Sequence, residues 1–152
     1  MSIATVSTNF TPGVAAWFEA TFAAPTEVQA AAWPVIASGA HALITAPTGS
    51  GKTLTAFLWA LDRFAAGDLA TGATRVLYVS PLKALNTDIR TNLEQPLAAL
   101  AARGALPPLR AETRSGDTPP ATRARLLRKP PEILITTPES LLLMLSSERG
   151  RA

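Results

Sequence analysis

At 152 residues and a net charge of +3, with 47% hydrophobic and 16% charged side chains, the chain has room and apolar material for one domain with a core, which excludes a disordered polypeptide. The lack of cysteine and the single histidine, His41, exclude a disulfide framework, a thiolate metal site and a histidine cluster. No apolar run approaches the roughly 20 residues that span a bilayer, and the opening MSIATVSTNF has neither the basic start nor the apolar stretch of a secretory leader, so the expectation is a cytoplasmic chain without a membrane partner.

The predicted elements alternate along the chain. Residues 11–22 (TPGVAAWFEATF) open with a Thr-Pro helix signal and carry apolar residues at helical spacing. PTEVQAAAWPVIASG predicts a second helix, interrupted or kinked at Pro34 and stopped near Gly39. HALITA, residues 41–46, predicts a short buried strand. Residues 51–66 are helical in pattern, with Leu54, Phe57, Leu58, Leu61 and Phe64 on one side. TRVLYVS (74–80) predicts a strand, 82–103 a helix with a break near Pro96, and PLRAETR (108–114) a weaker strand. PPATRARLLRK (119–129) turns helical after its prolines, EILITT (132–137) predicts a strand, and PESLLLMLSS a closing helix. Strands and helices in this alternation predict parallel strands joined by crossovers, an α/β sandwich.

Charge is unevenly carried along this series. Residues 1–51 contain no Lys or Arg, whereas 103–129 hold Arg103, Arg110, Arg114, Arg123, Arg125, Arg128 and Lys129, opposed only by Glu112 and Asp117. Such a segment suits a polyanion or a solvated helix face.

APTGSGKT, residues 46–53, has the spacing of a phosphate-binding loop, with Ala46 where the pattern usually has its first glycine. Gly49 and Gly51 allow backbone dihedrals closed to other residues, so successive N–H groups can close on an anion at the start of the following helix. Lys52 supplies a positive charge to the β- and γ-phosphates, and the Thr53 hydroxyl suits a Mg²⁺ ion. The candidate nucleotide contacts are Thr48, Gly49, Ser50, Gly51, Lys52 and Thr53.

In an open α/β sheet, ligands gather at the carboxyl ends of the strands. Those ends here read VSPLKALNTDI (79–89), TRSGDTPP (113–120) and TTPESLLLML (136–145), with PTEVQ (25–29) upstream of the loop. In this order the motifs resemble the first motor domain of superfamily 2 DEAD/DEAH-type helicases, and their wording is most similar to the large-helicase-related branch. The resemblance runs from about residue 10 to residue 147. It implies a RecA-like P-loop NTPase sandwich, truncated before the Walker B strand. Residues 1–40 would be N-terminal helices carrying the adenine-recognition motif, and 41–152 an incomplete ATP-binding domain. It also implies ATP and Mg²⁺ as cofactors. The partner would be nucleic acid, single-stranded or tailed duplex and DNA first, in a setting such as DNA repair.

Residue by residue, the resemblance implies that Gln29 reads the adenine edge, with Phe10 or Phe18 stacking on the base. Ser80, Pro81 and Lys83 would meet one nucleic-acid phosphate, Arg114 and Gly116 another, and Thr136 and Thr137 a third. Thr137 also suits a helix N-cap with Pro138 behind it. None of these groups reads base identity, which predicts weak sequence preference and strong salt dependence. The family continues after such motifs into a strand ending in D-E-x-H, where the Asp holds Mg²⁺ and the Glu activates water; no such box occurs in residues 1–152. In the family's sheet order the P-loop strand then lacks its neighbours, so residues 1–152 alone are expected to fold poorly. The competing reading is a non-catalytic nucleotide- or nucleic-acid-binding fragment.

Overall fold

The computed structural model describes residues 9–81 and 83–147, without the side chains of 83–88, 90 and 91. Its elements in chain order are α1 (Pro12–Thr21), α2 (Glu27–Ala37), α3 (Lys52–Ala65), β1 (Val76–Val79), α4 (Lys83–Ala102), β2 (Ala111–Arg114), α5 (Pro120–Arg128), β3 (Ile133–Thr136) and α6 (Pro138–Ser146). The chain forms two compact units, Met1–Leu69 with Pro96–Pro107 and Ala70–Gln95 with Pro108–Ala152. No helix among the described residues is long and apolar enough to cross a membrane.

The first unit is helical. The apolar side of α3 buries Phe57, Leu58, Leu61 and Phe64, as its spacing predicts. Against it lies an aromatic cluster built by α1 and α2. Trp33 is fully buried, with Phe10 edge-on at 4.8 Å and Phe18 edge-on at 5.5 Å. Such pairs add roughly 0.5–1.5 kcal/mol beyond area burial. The indole N–H of Trp33 donates to the Thr55 carbonyl at 3.1 Å, so its polar atom is satisfied inside the core. Gly13 sits where a β-carbon would meet that of Ala105 at 2.9 Å, so only glycine lets that face of α1 approach so closely. Phe18, one of the two aromatics considered for adenine stacking, is 1% exposed and belongs to this core.

Two expectations fail here. HALITA is not a strand: residues 41–47 are irregular, and Leu43 is 92% exposed. A strand exists only as a paired ladder, and no strand pairs with these residues among those described. The break expected near Pro96 is absent from a continuous helix, and the helix expected to be interrupted or kinked at Pro34 is not interrupted there. A helix tolerates the lost N–H bond where packing offsets it, and Pro96 is buried.

The second unit is a three-stranded parallel sheet in the order β1-β3-β2. Val79 and Arg114 flank Thr136 in register, so all three strands end at the same level. Ile133 and Ile135 fill one face and are fully buried. Leu134 looks the other way, into a groove of about 410 Å³ lined also by Leu126, Leu141, Met144 and Arg114.

Glu132 clamps the opposite end of this sheet. It is 3% exposed, and its carboxylate accepts the N–H of Gly72 before β1 and of Arg110 before β2, each at 2.9 Å. Its own carbonyl accepts from Arg75 and Val76 at 2.9 and 3.0 Å. Burial alone would raise the Glu132 pKa. The N–H donors of Gly72 and Arg110, its own backbone N–H and the Arg110 charge outweigh burial and hold it below the ordinary glutamate value. A depressed folded-state pKa contributes stability that is present above the unfolded pKa and is lost as pH falls through the folded one. Stability is therefore expected to fall below about pH 4.3. Glu132→Gln, which turns an NH₂ toward a backbone donor, should cost roughly 1–3 kcal/mol at neutral pH and flatten that acid limb. Urea midpoints across pH for the two proteins check this; parallel curves would deny Glu132 the role.

Candidate functional site

The loop before α3 has the geometry its glycines predict. Gly49 and Gly51 take φ of 82° and 85°, the left-handed region where a β-carbon is strained. Gly51 is the N-cap of α3 and no side chain caps it, so the first-turn N–H groups are open to an external acceptor. Lys52 curls back over the loop. Its ammonium donates to the carbonyls of Ala46 and Pro47, the latter at 2.7 Å, and lies 3.4 Å from Ser50 Oγ. A cation, glycines at positive φ and an uncapped helix start meet in one loop, a donor set that fits a polyphosphate. Thr48 lies in the turn, and half-buried Thr53 follows in the first turn of α3.

Gln29 is brought against this loop. Thr26 and Gln29 form a capping box: the Gln29 N–H donates to Thr26 Oγ1 at 3.3 Å, and the Thr26 N–H donates to Gln29 Oε1 at 3.0 Å. The Thr26 hydroxyl then donates to the Ser50 carbonyl at 2.9 Å. A methyl at Gly51 would come within 2.6 Å of Gln29 Nε2, so the amide packs directly on the glycine. Gln29 is only 3% exposed, and its carbonyl oxygen serves the helix cap while the NH₂ faces the loop. Thr26 was not singled out from the sequence. The signal was present in TEVQ, whose Thr-x-x-Gln spacing is that of a capping box.

In the second unit the register carries three motifs to one end of the sheet. Ser80 follows β1; its N–H donates to the Thr136 carbonyl at 2.9 Å, and exposed Pro81 comes next. Lys83 opens α4, and its side chain lies outside the described residues. Arg114 closes β2, with Ser115 and Gly116 beyond it. Thr136 closes β3 and is fully buried; its hydroxyl donates to the Arg114 carbonyl at 2.8 Å. Thr137 is the N-cap of α6, with Pro138 behind it, and accepts from the Ser140 N–H at 3.4 Å. The structure thus gives Thr136 and Thr137 internal partners, and leaves Pro81 and Gly116 at the surface.

The half-buried Arg114 borders the apolar groove. Burial, and next the charge of Arg123, push its guanidinium below the ordinary arginine value. Two arginine charges within electrostatic reach at a strand end favour an anion between or beside them. Arg123 and Thr118 hold the turn after β2 and were not singled out from the sequence, where Arg123 reads as one of a run of basic residues.

Parallel strands converging on one end, and a glycine loop opening an uncapped helix, define a nucleotide-binding α/β protein of the P-loop kind. The DEAD/DEAH box helicase family matches residues 26–151, and the chain belongs to that family. It is 54% identical over 138 residues to a Lhr helicase/probable uracil glycosylase of Mycolicibacterium smegmatis, covering 86% of this chain and 9% of the relative. It is 51% identical over 150 residues to the Lhr helicase/uracil glycosylase of Escherichia coli K12, covering 91% and 10%. Among solved structures, the Mycobacterium smegmatis helicase Lhr bound to ssDNA and AMP-PNP superposes with a TM-score of 0.85 at 49% identity, over 95% of this chain and 19% of that one. The chain spans about a tenth of the length of these curated relatives. Its fold is the RecA-like helicase fold, as the motifs implied.

Proposed function

We propose that this chain is the ATP-binding and strand-contacting front part of the first motor domain of an ATP-dependent DNA helicase or translocase of the Lhr kind, working in the cytoplasm. In this reading residues 1–40 carry the adenine-recognition motif and 41–152 the ATP-binding domain. The observation that carries it is the β1-β3-β2 register, which levels Val79, Thr136 and Arg114 and so brings Ser80, Arg114 and Thr137 to one end of the sheet. The similar Lhr helicase is bound to ssDNA and an ATP analogue, which supports the same two ligands here.

ATP would lie with its phosphates on the Thr48–Thr53 loop and its adenine toward Gln29, with Mg²⁺ on Thr53. Bound nucleotide supplies the free energy of phosphoryl transfer. The residues of this chain position it: Lys52 compensates phosphate charge, Gly51 lets the backbone approach, and Thr26 couples the Gln29 helix to the loop through Ser50. Ser80, Pro81, Lys83, Arg114, Gly116, Thr136 and Thr137 form the track for one nucleic-acid strand. Such contacts position a strand without reading its bases.

Residues 1–152 contain no D-E-x-H carboxylates, so this segment alone is proposed to bind both ligands without turning ATP over. Purified 1–152, taken only if a cooperative thermal transition shows it folded, should bind oligothymidylate and mixed-sequence single strands with similar, steeply salt-dependent affinity, and should hydrolyse ATP at the background rate. Failure to bind single strands at low salt would overturn the strand-contact reading. DNA-stimulated hydrolysis lost in Lys52→Ala would show that a carboxylate within the segment activates water, with Glu139 the first to test.

A further inference from the structure

The turn after β2 is held from one direction by a single side chain. Residues 115–118 form a tight turn, with the Thr118 N–H donating to the Ser115 carbonyl at 3.2 Å and the Ser115 N–H donating to Thr118 Oγ1 at 2.8 Å. These two bonds close the turn on itself and do not aim it. Arg123, one turn into α5, supplies the aim. Its Nε donates to the Thr118 carbonyl at 2.8 Å and its Nη2 to the Gly116 carbonyl at 2.5 Å. A planar guanidinium offers two donors in a fixed fork, so both carbonyls are fixed relative to α5 at once. The helix also begins inside this arrangement. Its N-cap is Pro119, with no side-chain cap, and the Arg123 N–H donates to the Pro119 carbonyl at 3.0 Å.

We propose that Arg123 is a positioning residue for nucleic-acid binding, holding the Ser115–Thr118 turn and the adjoining Arg114 in the geometry that meets a backbone phosphate. This rests on the reading of the turn as a strand contact. Arg123 itself is assigned no strand contact in this scheme: its fork faces the Thr118 and Gly116 carbonyls. Among the basic residues of α5 it differs from Arg125, which pairs with Glu112 at 2.9 Å on the surface.

The roles of charge and fork separate in substitutions. Lysine keeps the charge but cannot bridge two carbonyls in a plane, so Arg123→Lys should behave like Arg123→Ala. Oligothymidylate binding to the purified chain, followed by fluorescence anisotropy across a salt series, reads the effect. One phosphate contact to a single strand is worth a slope of about 0.7 in log K against log salt, or about fivefold in affinity near 0.1 M salt. Arg114→Ala should lose that slope and affinity. Arg123→Lys should lose the same amount, and the double variant should lose no more than either alone. Thr118→Val, which removes the Ser115 bond and keeps every arginine, should reproduce the loss in slope. It decides the matter if Arg123→Lys lowers the thermal midpoint. Wild-type slope and affinity in Arg123→Lys, or losses that add in the double variant, would overturn the proposal. The first result would make Arg123 dispensable for aiming the turn and the second an independent contact. Unchanged binding in Arg114→Ala would overturn the strand-contact reading itself, and this inference with it.

Discussion

Lys52→Ala is expected to abolish nucleotide binding while leaving the fold intact or slightly firmer. The ammonium is held over the loop by the Ala46 and Pro47 carbonyls, within reach of Ser50 Oγ. A unit charge about 4 Å from a phosphate oxygen near a protein surface is worth roughly 4 kcal/mol. The helix start contributes about 0.3–1 kcal/mol. The lysine therefore holds the phosphates more strongly than the helix start does, and its loss should weaken binding by a hundredfold or more at about 1.4 kcal/mol per tenfold. The fold has no such need of it. A cation in the first turn of a helix opposes the helix dipole, and alanine is the better helix former. A calorimetric titration with a non-hydrolysable ATP analogue, beside a thermal melt, measures both effects. Unchanged affinity would overturn the assignment of the loop, and a large drop in midpoint would make Lys52 a structural residue instead.

Asp62→Ala should produce the largest loss of stability. Asp62 is fully buried on α3, and its carboxylate accepts from both the N–H and the hydroxyl of Thr11 at 2.7 Å. It also pairs with Arg63, which reaches Asp68 at 2.8 Å and lies 4.5 Å over the Trp59 ring. Removing the carboxylate leaves two donors of Thr11 and one arm of Arg63 without an acceptor. Arg63 is 30% exposed and keeps Asp68, so the loss falls on the two donors of Thr11, about 1–3 kcal/mol for each left unpaired, a sizeable share of the roughly 5–15 kcal/mol that holds a domain together. Asp62→Asn should cost less, since one acceptor oxygen remains for Thr11. Urea unfolding of the three proteins sets the order, and a loss under about 1 kcal/mol in Asp62→Ala would show that water replaces the carboxylate.

What was legible in the sequence was local. The APTGSGKT spacing, the Thr137-Pro138 helix start and the amphipathic period of α3 each involve residues within a few positions of one another. The chain's own stereochemistry enforces them, and the structure reproduces all three. The strand-end motifs were legible as members of a family, but their meeting was decided by the β1-β3-β2 register, which joins residues dozens of positions apart. Three particulars were decided only by tertiary structure. Thr11 sits at a helix start, yet its side chain caps nothing there, and its hydroxyl and N–H both donate to a carboxylate 51 positions along the chain, which only the fold brings near. Arg123 is one basic residue among seven in its segment until the fold places two carbonyls before its fork. HALITA has every property of a buried strand and is irregular, because hydrophobicity makes a segment able to be a strand and only a partner with free N–H and C=O groups makes it one.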